Sequence, residues 1–211
     1  MKLFLANINE VRPEHMNRIS PERAEKAGRY RFPADRKRCV AGGLLLRCFL
    51  GDTKIFTDEF GKPRAENGVC FNLSHSGDWV LFAVGKTEVG CDIAQMRQCD
   101  PVRLGKVVFT EGELDLIKKS CDRLGIFFEL WTKKEALLKC MGKGFHRAAK
   151  TVDVRAECFC ENGEEYFMKT KIFADYTISV CARERIDDIT IEFVSLDQEF
   201  MNIYFKNSGK M

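Results

Sequence analysis

Three short segments carry side chains able to act on a phosphate-bearing molecule. In Phe71-Asn72-Leu73-Ser74-His75-Ser76-Gly77-Asp78 small hydroxyl residues flank a histidine at a strand end. Backbone N–H groups and side-chain donors at such a place can wrap a phosphate. A serine beside a histidine also invites a hydrolase reading. Adjacent residues on a strand point to opposite faces, however, so Ser74 and His75 cannot pair as nucleophile and base, and the Gly-x-Ser-x-Gly elbow is missing. In Val89-Gly90-Cys91-Asp92-Ile93-Ala94 the same alternation puts Asp92 and Ala94 on one face and Cys91 and Ile93 on the other. An aspartate on an apolar strand is costly to bury unless a cation or donor meets it. The plainer alternative is a solvated aspartate that opens a turn. The third segment, Leu130–Lys139, holds Glu135 and Lys139 four residues apart on a helix. They make either an ordinary surface ion pair, worth about 0.3–0.5 kcal/mol, or a carboxylate and an ammonium aimed together into a cleft.

The elements that must position these groups follow from local pattern. Lys2–Ile8 alternates as a strand. Ser20 caps a helix with Pro21 at its first position, running to about Tyr30. Phe32-Pro33 forces a break, and Asp35 is expected to cap a second helix through Val40, Leu44, Leu45 and Phe49. Gly61-Lys62-Pro63 is a turn; Val69–Ser74, Trp79–Val84 and Val89–Ala94 read as strands. Helices are expected over Arg103–Val108, Glu111–Lys119 and Phe127–Cys140, the last with an apolar stripe of Leu130, Trp131, Leu137, Leu138 and Met141. Met141-Gly142-Lys143-Gly144 ends it. Strands Val152–Phe159, Glu165–Phe173, Tyr176–Ala182 and Ile189–Val194 complete the chain. Each half runs helix first and then about three strands, which divides the chain into residues 1–100 and 101–211.

Composition narrows the class. With 45% hydrophobic and 31% charged residues over 211 positions, the chain folds as a globule and is not a disordered polymer. The net charge of +3 hides an asymmetry: residues 1–50 hold 11 Lys/Arg against 5 Asp/Glu, a net +6, which leaves −3 for the remainder. That basic quarter can meet a small anion but is too sparse to coat a nucleic acid. No apolar run approaches the roughly 18 residues of a membrane span, and the start lacks a cleavable leader, so no membrane partner and a cytoplasmic location are expected. Ten cysteines include no Cys-x-x-Cys pair, the nearest spacing being Cys158-x-Cys160, and three histidines form no cluster with them. They read as reduced thiols, packed as small hydrophobes or incidental on the surface.

Taken together the segments resemble the 4′-phosphopantetheinyl transferases of the larger, two-halved, surfactin-synthetase-activating type. Five stretches carry the likeness in order: Ile19-Ser20-Pro21-Glu22-Arg23-Ala24-Glu25-Lys26, Gly61-Lys62-Pro63, Phe71–Ser76, Val89–Ile93, and Leu130–Ala136 with Lys139 and Gly142-Lys143-Gly144. The resemblance covers residues 19 to about 155.

It implies an α+β fold of two similar halves, each a small, mainly antiparallel sheet packed with a long helix, with the active site at their junction. It implies transfer of the phosphopantetheine arm of coenzyme A to a serine of an apo acyl or peptidyl carrier protein, releasing 3′,5′-ADP, by a monomer. Carried over by position, Arg23, Lys26, Arg38, Lys62, Ser74 and His75 would meet the coenzyme. Asp92 and Glu135 would hold Mg2+, with Glu113 assisting; Lys139 would neutralise charge, and Glu135 would also serve as base. Many relatives carry a second carboxylate where this chain has Ala94. That departure keeps open a rival reading, a non-catalytic protein of this family that binds coenzyme A or another phosphate ligand.

Overall fold

The computed structural model describes residues 1–142 and 149–197. The chain opens with β1 (Lys2–Asn7), whose Leu3, Phe4, Leu5 and Ala6 are all buried. Helix α1 (Pro21–Gly28) starts where the sequence places it: Ser20 Oγ accepts from Arg23 N, and Pro21 fills the position whose N–H would have no partner. Helix α2 (Pro33–Leu50) starts earlier than expected. Phe32, in extended conformation, is its N-cap and Pro33 its first residue, so Asp35 stands inside the first turn. There its carboxylate favours the positive end of the helix dipole and takes an ion pair from Arg38 at 2.6 Å. Phe49 near the other end stacks on Phe4 at 3.8 Å and Phe82 at 5.4 Å, fixing α2 against the first sheet.

That sheet has the order β10-β1-β5-β4, with β4 (Cys70–Ser76) and β5 (Trp79–Gly85) a hairpin and β10 (Ile191–Phe193) parallel to β1. A short hairpin, β2 (Ile55–Thr57) with β3 (Pro63–Ala65), flanks the expected turn at Gly61. The second sheet has the order β6-β9-β8-β7, from β6 (Val89–Gln95), β7 (Cys158–Glu161), β8 (Glu164–Phe173) and β9 (Tyr176–Ala182). Helices α3 (Pro101–Val108) and α4 (Glu111–Lys119) lead into α5 (Arg123–Met141), which packs on β6 and β9 and ends at Gly142 in the left-handed conformation. The result is the α+β arrangement of two sheets, each with its long helix.

Two expected strands change. Val152–Phe159 is not extended ladder until Cys158: Val152 and Val154 are fully buried at the strand spacing, but Val154 N donates to the Glu113 carboxylate at 2.9 Å instead of to a neighbouring strand. Ile189–Val194 shrinks to Ile191–Phe193 and crosses to the first sheet, where Val194 N donates to Leu5 O at 2.9 Å. No helix among the described residues is long and apolar enough to cross a membrane.

The two sheets meet along β4 and β6 through side chains. Asn72 Oδ1, Ser74 Oγ and Ser76 Oγ accept from the backbone N–H groups of Cys91, Ile93 and Gln95 at 3.0, 3.4 and 3.0 Å. The period of two on both strands lets one polar face of β4 stitch to the edge of β6, satisfying donors that would otherwise be buried without partners. Helix α5 comes close on the other side of β6. A Cβ on Gly90 would lie 2.0 Å from Ala136 O and 2.4 Å from Cys140 N, both backbone atoms that cannot turn aside. Gly90→Ala is therefore expected to lower unfolding free energy by about 3 kcal/mol, as overpacking of a close-packed core does. Urea denaturation checks it, and an unchanged midpoint would show that α5 has room to move.

Candidate active site

The junction of β4, β6 and α5 encloses a cavity of about 400 Å³. Ser74 and His75 come from β4, Asp92 and Ala94 from β6, and Glu135 and Lys139 from α5. Spacing of four along α5 puts Trp131, Glu135 and Lys139 on one stripe of the helix, all facing the cavity. Trp131 thus belongs with the two charged residues more than with the apolar stripe expected for it.

Glu135 and Lys139 do not make the helix-surface ion pair. Lys139 Nζ reaches across to Asp92 Oδ1 at 2.6 Å, and also donates to Cys91 O and Ser74 Oγ, both at 3.3 Å. Burial alone would lower the Lys139 ammonium; the Asp92 charge beside it outweighs that and raises its pKa. Ser74 Oγ donates to the same Asp92 Oδ1 at 2.7 Å. Among the described residues Asp92 Oδ2 and the whole Glu135 carboxylate have no hydrogen-bond donor. Burial raises the Glu135 carboxyl above the usual range, Lys139 opposing and Asp92 adding to it. His75 is held below the usual imidazole value by loss of solvent, then by the charges of Arg38 and Lys139, so it is a neutral donor or acceptor near neutral pH.

A second cavity of about 710 Å³ shares His75, Ser76, Ala94 and Trp131 with the first and continues it outward. Its walls are mostly apolar, with Leu104, Val107, Phe127 and Phe128, and Arg38 and Arg97 also line it. Polar and apolar compartments in series suit a ligand with a charged head and a neutral arm.

Comparisons with known proteins bear on this geometry. A model of the 4′-phosphopantetheinyl transferase superfamily matches residues 88–186, which include β6 and α5. The 4′-phosphopantetheinyl transferase ffp of Bacillus subtilis is 31% identical over 189 residues, 79% of this chain and 83% of that protein. The chain belongs to the 4′-phosphopantetheinyl transferase superfamily. The transferase Sfp of Bacillus subtilis (strain 168) is 32% identical over 158 residues, 69% of this chain and 70% of that protein. The transferase gsp of Aneurinibacillus migulanus is 31% identical over 158 residues, 68% of this chain but only 66% of that protein.

Of the residues singled out in this transferase-family sequence, Ser74, His75, Asp92, Glu135 and Lys139 converge on one cavity, and Arg38 lines the adjoining one. Arg38 is tied down there, its guanidinium donating to Gly77 O at 2.8 and 2.9 Å and to Asp35 at 2.6 Å. Arg23 lies elsewhere. Its Nε donates to Cys39 O at 2.9 Å, and it lines a separate cavity of about 340 Å³ with Ser20, Arg47 and Thr53. Lys26 is exposed on α1 and lines neither. Lys62 is buried away from both cavities: its ammonium meets Glu88 at 2.5 Å, Cys140 O at 3.2 Å and Val89 O at 3.3 Å, tying the β2–β3 hairpin to the end of α5. Lys143 and Gly144 of the expected motif lie outside the described residues.

Glu113 requires a correction. Its carboxylate is completely buried behind α5 and is saturated by Lys134 Nζ at 2.7 Å, Thr110 N at 2.8 Å and Val154 N at 2.9 Å. Those three donors leave it no role at a metal in the cavity. Glu113, three residues after Thr110, is legible as half of a capping box, which is what it forms. What the sequence reading missed is the double use of Ser74: the hydroxyl expected to grip phosphate also joins β4 to β6 and orients Asp92. The alternation Asn72-x-Ser74-x-Ser76 was the available sign.

Proposed function

We propose that this chain moves the phosphopantetheine arm of coenzyme A onto a serine hydroxyl of an apo acyl or peptidyl carrier protein and releases 3′,5′-ADP. One observation carries the reading: two carboxylates with oxygens unclaimed among the described residues, Asp92 on β6 and Glu135 on α5, and the Lys139 ammonium of α5 face one cavity that adjoins an apolar one. The serine oxygen forms a bond to the phosphorus bearing the pantetheine arm. The bond from that phosphorus to the bridging oxygen breaks, and the leaving phosphate keeps the electron pair. Lys139 offsets negative charge on the pyrophosphate, and the Glu135 carboxylate, which has no donor among the described residues, takes the serine proton. Ser74 and Asp92 hold the Lys139 ammonium in place while His75 and Arg38 meet phosphate oxygens at the cavity mouth.

The donor set fits Mg2+. Asp92 Oδ2 and Glu135 are hard carboxylate oxygens facing one space, and such an ion takes one or two protein carboxylates, substrate phosphates and waters. When bound it supplies charge neutralisation at the pyrophosphate. Ala94, on the cavity wall beside Asp92, offers no further oxygen and is the observation behind the rival reading of a non-catalytic coenzyme A binder. The thiols that remain free suit the cytoplasm, where coenzyme A and its carriers meet.

Mass spectrometry of apo carrier proteins incubated with the chain, coenzyme A and Mg2+ tests this. The expected result is a gain of one phosphopantetheine arm, absent when a chelator is added. Binding of coenzyme A without any mass gain across acyl and peptidyl carriers would favour the binder.

A further inference from the structure

The proposed reaction uses none of the ten cysteines, yet two of them stand together on the surface at the far edge of the second sheet. Strands β7 and β8 form a hairpin across Asn162-Gly163, both at positive φ (51° and 80°), the two-residue turn that fixes register most firmly. That register sets Cys160 directly opposite Glu165, with Cys158 two residues away on the same face. The core-facing side of the hairpin is occupied by Tyr166 and Met168, both buried. The two thiols and the carboxylate therefore face outward on a rigid support. Cys158 Sγ is 3.9 Å from Cys160 Sγ, which is 3.9 Å from Glu165 Oε1, and the three ligand atoms lie within 4.8 Å of one another.

We propose that Cys158, Cys160 and Glu165 form a binding site for a thiophilic divalent cation, Zn2+ being the representative, with water as the fourth ligand. Two thiolates about 2.3 Å from a tetrahedral zinc stand roughly 3.8 Å apart, and a thiolate and a carboxylate oxygen roughly 3.5 Å. The thiol pair already has the first spacing; the carboxylate needs a shift of a few tenths of an ångström toward Cys160 and of up to about 1.3 Å toward Cys158, movements open to the exposed Cys160 and Glu165 side chains. A disulfide fits the backbone poorly, since alternate residues of a strand lie about 6.6 Å apart, at the long end of what the bridge spans. Two thiolates with one carboxylate favour zinc-like ions over Mg2+, so this site and the cavity select different metals. Binding displaces the thiol protons to solvent and involves no oxidation or reduction. The ion would clamp the four-residue edge strand β7 to β8, with which it pairs.

The test is a Co2+ titration of the full chain, freed of metal and kept in a phosphine reductant. The expected result is a thiolate-to-cobalt charge-transfer band that saturates at one equivalent and is erased by Zn2+ but not by excess Mg2+. Combined Cys158→Ser and Cys160→Ser should abolish the band, and Glu165→Gln should weaken Co2+ binding about tenfold, with far-ultraviolet circular dichroism unchanged. No band in the wild-type chain, or a band that survives the double substitution, overturns the assignment.

Discussion

Glu135→Gln is expected to reduce phosphopantetheine transfer by about 10²–10⁴-fold, the usual worth of a positioned acid–base group, while the protein becomes no less stable. The two halves of that expectation come from one observation. The Glu135 carboxylate sits in the cavity with no donor among the described residues and beside Asp92, so its ionised form is disfavoured and its pKa is raised, chiefly by burial. A carboxyl whose pKa is higher folded than unfolded costs stability as pH rises through the unfolded value, and the cost is complete above the folded one. At neutral pH the amide removes that cost. Thermal unfolding should therefore show a melting temperature equal to or above wild type, and the gain should shrink as the pH falls into the carboxylate range. A residue kept for structure would behave in the opposite way. Asp92→Ala provides the contrast: it strands the Lys139 ammonium in a half-buried place, so activity and melting temperature should fall together. Transfer within threefold of wild type in Glu135→Gln would remove this carboxylate from the chemistry.

Breaking the Glu113–Lys134 pair is expected to cost about 3–5 kcal/mol, the largest stability loss of any single polar change considered, because each partner would leave a buried charge behind. The side chains are 0% and 1% exposed. Lys134 Nζ also donates to Val152 O at 2.7 Å and Ala149 O at 3.0 Å, and lies 5.4 Å from the centre of the Phe109 ring. Burial lowers the Lys134 ammonium, with Glu113 opposing. One network thus gathers α4, the segment after α5 and α5 itself, and so holds the helix that bears Glu135 and Lys139 on another stripe. Glu113→Ala and Lys134→Met should each shift the urea midpoint strongly. The double change Glu113→Leu with Lys134→Met should recover part of the loss, because no charge is then stranded. Recovery stays partial because Thr110 N and Val154 N still lose their acceptor. The Mg2+ requirement expected of the proposed reaction should be unchanged in Glu113→Gln. Losses under 1 kcal/mol for both single changes would show that water reaches the pair.

Much of this molecule was determined locally and could be read from its sequence. Ser20 with Pro21, Thr110 with Glu113 and Gly142 mark helix ends because a cap is a contact between residues two to four apart. Strand alternation put Asp92 and Ala94 on one face, and that face lines the cavity. The family likeness by itself groups His75, Asp92, Glu135 and Lys139, and these four line one cavity. Tertiary structure decided which charge meets which. Adjacent lysines part company on α5: Lys133 pairs with Glu129 one turn back at 2.6 Å, while Lys134 is sealed against Glu113, twenty-one residues away in sequence. Lys139 passes over the glutamate four residues earlier and takes an aspartate on β6. Lys62 and Glu113 carry the charges the chemistry would want and spend them on packing. Residue type and spacing fix helical neighbours, whose distance is set by the backbone. They do not fix partners brought together by the folding of two sheets, where burial and competition among donors select the contact.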